Sequence, residues 1–373
     1  MLFEQTTLGN VSKGGKGNYG IAASAVDYSN ELYTYLRITD IKDDGTIDFG
    51  GLKSVNDEKA ANYLLQPNDI VFARTGASTG RNYFYDGSDA QFVYAGFLIK
   101  FSIDPDKVNP KYIKYYCLSQ EYKGWIASYN TGSTRGNINA QTLAQMPLLL
   151  PERMQQDKMV DILSSIDRKI KENKKINKNL EEQAFAVFDN LFANTSMEYK
   201  TVGSLIIPKR GKNLLSKDAV FGDIPVVAGG LEPSTYHNIP NTASPVITIS
   251  ASGANAGFVR LWNTPVWASD SSFIDTSVTK NVFFWYVMLK KRQKEIFDSQ
   301  TGSAQPHIYP KHIAEMKIPN ISEKQIIDFD SNVSPLFKTI GINLFENKKL
   351  AVLRDTLLPR LMSGELDVSN LDI

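Results

Sequence analysis

From Met159 onward the apolar side chains fall at alternating spacings of four and three. The series runs Met159, Leu163, Ile166 and Ile170, passes through Asn173 and Asn177, and continues with Leu180, Ala184, Val187 and Leu191. This is the a/d seam of a heptad helix, held for about four and a half repeats. Asp167, Lys169, Lys171, Glu172, Lys174, Lys175 and Lys178 occupy the outer positions. A second seam reads Phe329, Val333, Leu336, Ile340, Asn343, Asn347, Leu350, Arg354, Leu357 and Leu361, opened by a capping box at Ser322 and Gln325. Pro335 inside it is predicted to kink the helix or delay its regular part. At the rise of an α-helix each seam extends about 48 Å.

The second seam repeats the first at an offset of 170 residues, which also relates Thr131-Gly132-Ser133 to Thr301-Gly302-Ser303, Ile138 to Ile308 and Met146 to Met316. An unbroken offset means that one structural segment, helix phase included, occurs twice. Upstream the offset shifts: Thr7-Leu8-Gly9 resembles Thr201-Val202-Gly203, and Gly76 to Gly80 resembles Gly253 to Gly257. Two long copies make a duplicated domain with a duplicated connector, not a solenoid of short units. The first helix carries the chain into the second half, so a second helix packed on it must run back. That antiparallel register sets Asn173 against Asn347, Asn177 against Asn343, Ala184 against Leu336 and Leu163 against Leu357. Asparagines at core positions cost stability and fix register. Arg354 falls opposite Ile166, where an arginine near a helix end can snorkel. The plainer alternative is two amphipathic helices that pack elsewhere.

The globular halves read as mixed α/β. Strands are predicted at Leu36–Ile41, Ile70–Arg74, Phe92–Ile103 and Leu148–Leu150, with a helix over Pro110–Ser128. The second half repeats this with Ile224–Val227, Val246–Ser250, Val266–Ile274 and a helix over Asn281–Phe297. The expected fold class is a duplicated α/β (α+β) chain: two globular domains separated by two long helices that form an antiparallel, pseudo-twofold coiled coil. Its parts are 1–151, a connector helix in 152–196, a second domain in 197–320, and helix plus tail in 321–373.

Composition narrows the function classes. The longest apolar run, Val282 to Leu289, is eight residues, against about 20 for a membrane span. With no charged-then-apolar pattern near residue 1, the cytoplasm is the expected location and no membrane partner is expected. Cys117 is the only cysteine, which excludes internal disulfides and cysteine-based metal clusters. The net charge of +1 conceals an asymmetry, since residues 197–320 carry 13 basic and 9 acidic side chains. Charge therefore permits nucleic-acid binding without arguing for it.

Three loops per half carry the candidate chemistry. The first contains Lys13, Lys16 and Asn18, set beside Lys209, Arg210, Lys212 and Asn213. Glycines among lysines suit close approach to phosphates, and asparagine can pair with adenine; a solvated surface turn is the plainer reading. The second contains Arg74, Thr75, Ser78, Thr79 and Arg81, with Ser252 and Asn255 in the matching stretch. The third contains Thr134, Arg135 and Asn137, matched by Ser303, Gln305 and His307. The glycine frame recurs while the polar residues differ, as two readers of two sequences would require; neutral drift in loops is the alternative. Gly15-x-Gly17-x-x-Gly20 matches a dinucleotide fingerprint literally but lacks the flanking strand and helix. His307, His312 and Glu315 lack the spacing of a helical histidine pair, so no metal site is expected. Neither a Walker loop, nor an Asn-Pro-Pro-aromatic methyltransferase motif, nor a credible nucleophile–base pair occurs.

This order of elements, given twice, resembles the specificity (S) subunit of type I restriction-modification systems. The resemblance is carried by Met146-Pro147-Leu148-Leu149-Leu150-Pro151, by the helix Asp161 through Leu191, and by the closing Leu357-Leu358-Pro359-Arg360-Leu361-Met362-Ser363-Gly364-Glu365-Leu366. It spans essentially the whole chain. It implies a non-catalytic subunit whose two target-recognition domains each read half of a split, asymmetric site in double-stranded DNA. It also implies helices that space the halves and dock two modification (methyltransferase) subunits, which restriction (translocase/nuclease) subunits can join. No cofactor is expected on this chain; S-adenosylmethionine belongs to the modification subunit. The near-neutral first half and Pro335 depart from that pattern. The competing reading is a coiled-coil scaffold or adaptor whose lobes bind protein and not DNA.

Overall fold

The run Asp69-Ile70-Val71-Phe72-Ala73 forms a strand buried on both faces. Its alternate residues serve two cores. Ile70 and Phe72 pack with Ile99, Phe101, Tyr112 and Ile113, while Val71 and Ala73 pack with Tyr83, Phe92, Tyr94 and Leu98. A strand covered on both sides reads as an apolar run because neither face meets water. The computed structural model that shows this describes residues 2–129, 137–192, 198–302, 305–369 and 371. They divide into one unit built from Met1–Arg168 with Leu350–Ile373, and another built from Lys169–Lys349.

In the first unit Asp69–Ala73 lies between Leu98–Ser102 and Asn82–Tyr85, all antiparallel, with Asn18–Tyr19 outermost beyond Leu98–Ser102. A second sheet orders Ala25–Val26, Lys53–Val55, Tyr33–Leu36 and Phe92–Tyr94, the last pair parallel. Phe3–Thr7 pairs with Pro147–Pro151. In the second unit Val246–Ser250 takes the central place, between Val259–Trp262 and Ser271–Ile274, with Lys209–Arg210 outermost. Ile224–Val227 joins Thr235–His237 and, in parallel, Trp267–Ala268, while Tyr199–Thr201 pairs with Lys317–Pro319. The same strand plan is thus built twice, except that among the described residues the second unit has no counterpart of Ala25–Val26. The apolar run Val282–Leu289 is a helix segment buried all round, as a helix without a polar face must be.

Several predicted elements are interrupted, each for a local reason. The strand expected over Phe92–Ile103 is two strands in different sheets, separated at Gly96, where a Cβ would meet the Ile21 carbonyl at 3.2 Å. Val266–Ile274 divides in the same way, around Ser269 and Asp270. The helix expected over Pro110–Ser128 is Pro110–Tyr116 followed by Gln120–Tyr129, because the Ser119 hydroxyl accepts from the Tyr122 amide and caps a new start. Asn281–Phe297 likewise becomes Val282–Lys291 and Gln293–Asp298. Leu36 ends its strand because the Asp40 carboxylate accepts from the Arg37 amide (2.8 Å) and pairs with its guanidinium (2.6 Å), closing a turn.

The two long helices span Arg153–Phe192 and Glu323–Met362, 40 residues each and 170 residues apart. The division between units falls within both, and each part packs in its own unit. In the second unit the Asn173 side-chain amide donates to the Asn347 carbonyl (2.9 Å) and to Glu346 (2.7 Å), and Asn343 donates to Asn177 (2.8 Å). The order of these pairs makes the contact antiparallel. Asn173 alone of the four is fully buried, and its own side-chain carbonyl oxygen has no partner. Ala184 is buried with Phe329, Val333 and Phe337, a small residue where aromatic rings need room. The capping box closes in both directions between Ser322 and Gln325. The helix runs through Pro335, so the expected delayed start does not occur; Ser331, whose carbonyl loses its amide donor, is exposed, so water can satisfy it.

In the first unit Met159 and Leu163 pack with Leu358 and Leu361. Arg354 does not snorkel free; it pairs with Asp167 (3.2 Å) and Asp355 (2.9 Å). Asp167 also accepts from Lys114 (2.8 Å) and the Tyr115 hydroxyl (2.9 Å). Burial alone would raise its carboxyl, but Lys114, Tyr115 and Arg354 outweigh that and hold it below the ordinary value of 3.8. A depressed carboxyl stabilises the fold fully above the unfolded value and loses that contribution as pH falls through the folded one. Asp167→Asn should therefore lower the unfolding free energy at pH 7 by about 2 kcal/mol. In denaturation curves the gap from wild type should shrink on acidification below about pH 4; equal stability at pH 7 would count against this role.

Candidate nucleic-acid interface

Both central strands leave their sheets through the same turn. After Ala73, Gly76 and Gly80 take positive φ (71° and 87°); after Ser250, Gly253 and Gly257 do the same (80° and 88°). The hydrogen bonds agree one for one. Gly80 donates to Ala73 as Gly257 does to Ser250, Thr79 to Gly76 as Ala256 to Gly253, and Ile138 to Arg74 as Ile308 to Ala251. Thr75 bridges Asn137, and Ser252 bridges His307. A Cβ on Gly80 would lie 2.6 Å from Ile126, and one on Gly257 would lie 2.8 Å from Ile296. The turn is held against a helix by its glycines, so the residues between them can vary.

What varies is the chemistry. In the first unit the Arg74 guanidinium lies 5.2 Å from the centre of the Tyr19 ring and 5.9 Å from that of Phe97. The rings are 44% and 57% exposed. Arg74 Nε is buried without a partner, and no carboxylate pairs with the guanidinium among the described residues. In the second unit Arg74 corresponds to Ala251, Phe97 to Asp270 and Tyr19 to Arg210. The correspondence follows from matched bonds: Arg74 to the Phe97 carbonyl and Ala251 to that of Asp270, Gly20 to Leu98 and Gly211 to Ser271. Here Arg210 pairs with Asp270 (2.6 Å), whose other oxygen accepts from the Ser252 hydroxyl. One scaffold position thus holds an aromatic-flanked cation in one copy and a neutralised arginine in the other.

The remaining predicted residues separate into groups. Lys13 and Lys16 are exposed on a tight turn with Gly14 and Gly15 at positive φ. Asn18 is exposed but lies in a strand, opposite Lys100. Lys209 and Arg210 also form a strand, which matches Asn18–Tyr19; the lysine-rich loops are therefore not equivalent, a correction that shifting offsets concealed. Lys209 donates to Ser277 (2.8 Å), while Lys212 and Asn213 are exposed. Ser78 is buried, Thr79 donates to the Gly76 carbonyl (2.7 Å), and Arg81 is engaged by Asp43 (2.6 Å). Asn255 is half-buried with no side-chain hydrogen bond among the described residues, Gln305 is exposed, and His307 stacks on Tyr309 at 5.8 Å. Thr134, Arg135 and Ser303 lie outside the described residues. Tyr19, Phe97 and Asp270 were missed because each sits in or beside a strand that reads as framework; the break at Ala95-Gly96-Phe97 was the available signal.

Among the described residues no cluster of histidine, cysteine and carboxylate side chains could hold a metal ion, and no helix is long and apolar enough to cross a membrane. Residues 3–182 match the family described as the type I restriction modification DNA specificity domain. The match covers just under half of the chain, and over most of its length the chain resembles type I specificity subunits. It is 26% identical over 320 residues to the MjaIX specificity subunit of Methanocaldococcus jannaschii, covering 72% of each chain. With the HindI specificity subunit of Haemophilus influenzae it shares 21% over 405 residues, 82% of this chain and 88% of that one. The crystal structure of a type I system S subunit from M. genitalium shares the fold, with a TM-score of 0.57 at 21% identity over 96% of both chains. The matched domain supports a role in DNA sequence specificity.

The glycine frame can be tested by substitution. Gly14 has φ 73° with open space around it, so Gly14→Ala meets only the backbone penalty, about 1 kcal/mol. Gly80→Ala and Gly257→Ala add a clash with a buried isoleucine and should each destabilise by about 3 kcal/mol. Equal melting losses in all three variants would contradict the packing role.

Proposed function

We propose that this chain is the non-catalytic reading subunit of a type I restriction-modification complex. Its lobes, 1–151 and 197–320, act as target-recognition domains, and each reads one half of a bipartite, asymmetric site in double-stranded DNA. The observation that carries this reading is the repeated turn. A backbone frame with the same hydrogen bonds in both copies, carrying Arg74, Tyr19 and Phe97 in one against Ala251, Arg210 and Asp270 in the other, supplies two readers with different hydrogen-bonding chemistry. Base edges in the major groove differ in donors and acceptors, so different side chains on one frame select different sequences.

The long helices in this reading set the unread gap between half-sites and dock two modification subunits, joined in the full complex by restriction subunits. Apolar side chains on the second helix support docking: Ile342 is 68% exposed and Phe345 57%, in a helix whose opposite side packs inward. Exposed apolar groups of that size mark protein contact surfaces. S-adenosylmethionine is assigned to the modification subunit, where methyl transfer to adenine would occur.

Replacing residues 1–151 with the corresponding lobe of another specificity subunit should change one half of the methylated motif and leave the other half intact. Methylome sequencing reads the outcome. A swap that alters both halves, or neither, would overturn the modular assignment.

A further inference from the structure

Among the described arginines of the first lobe, residues 1–151, Arg74 stands apart. Arg37 is held by Asp40 and Arg81 by Asp43. Arg74 has no carboxylate and no side-chain hydrogen bond among the described residues. Its place is nevertheless built. The backbone is pinned on both sides, its amide donating to Phe97 (3.0 Å) and its carbonyl accepting from Ile138 (2.9 Å). Two rings flank the guanidinium, and one of them is itself anchored, since the Tyr19 hydroxyl accepts from the Ala140 amide (3.2 Å). Nε is buried, and the two Nη groups have no hydrogen-bond acceptor among the described residues.

We propose that Arg74 is the residue of the first lobe that specifies guanine, donating through its Nη groups to the O6 and N7 edge of one base. This rests on the DNA-specificity reading above and adds the residue and the base. The chemistry favours a base over a phosphate. A phosphate contact needs charge and tolerates a mobile side chain, whereas a planar fork held between rings is preorganised for a planar, two-acceptor edge. Among base edges only guanine offers two adjacent major-groove acceptors, and arginine is its commonest partner. The exposed rings of Tyr19 and Phe97 suit the apolar and stacked surroundings of bases more than the charged backbone. The second lobe supplies the contrast: its frame carries Ala251 at this point and its neighbouring arginine is neutralised by Asp270, so it cannot make the same contact.

The same contrast shows that the frame accepts alanine here, which makes Arg74→Ala a usable variant; Arg74→Lys keeps the charge and removes the fork. The test uses the full chain in complex with its co-expressed modification subunit. Binding is measured to duplexes carrying the methylated motif, with each base pair of both half-sites replaced in turn, at several salt concentrations. The wild-type complex should prefer guanine at one position of the first half-site by about tenfold or more. Arg74→Ala should lose that preference and Arg74→Lys should weaken it, while discrimination across the second half-site is unchanged, which also reports an intact fold. Retained guanine preference with uniformly weaker binding and a shallower salt dependence would make Arg74 a phosphate contact and overturn the proposal. Loss of selectivity in both half-sites would overturn it as well. A wild-type complex without any sequence preference would instead defeat the underlying DNA-specificity reading.

Discussion

Four glycines constrain the rest of this structure. Gly76 and Gly80 in one copy, and Gly253 and Gly257 in the other, adopt positive φ at the exit of a central strand. The second of each pair presses on a buried isoleucine. A side chain at Gly80 or Gly257 would meet both a backbone penalty and a packed core, and one at Gly76 or Gly253 the backbone penalty. Because the frame is fixed from behind, the residues it presents can change without moving it. That separation of the supporting frame from the side chains it presents is what allows one fold to occur twice in a chain with two chemistries.

Polar groups near the long helices follow a related logic. Asn173 and Asn347 meet at a core position, as do Asn177 and Asn343, and slipping one helix by a turn would leave these amides facing hydrocarbon. Asp167 plays an analogous part in the other unit, gathering Lys114, Tyr115 and Arg354. Each is a contact that one register satisfies and neighbouring registers do not.

The helices were legible because heptad spacing survives drift: any residue that leaves the seam is penalised, so the offset of 170 stayed intact from Arg153 to Met362. The central strands were legible for the same reason, as apolar runs covered on both faces. The strand breaks at Gly96 and Asp270 were not, since apolar strand-forming residues flank each break closely on both sides while the chain passes from one sheet to another. Within the site, Arg74, Ser252 and His307 stood out as polar residues among glycines. Tyr19 and Phe97 did not, because an aromatic ring next to a strand reads as core until its exposure is known. The equivalence of Tyr19 with Arg210 was also hidden, because it appears only in the hydrogen-bond pattern and at a different offset from its neighbours.

Taken together, the chain is one backbone frame used twice and served by helices with a fixed register, and the proposed function makes each copy a reader of DNA sequence. The most direct measurement is a map of methylated adenines in the native host with this gene present and deleted. The account predicts that a split motif, two short specified segments around an unspecified gap, is methylated in the first genome and unmethylated in the second. Identical methylation in both genomes would contradict it.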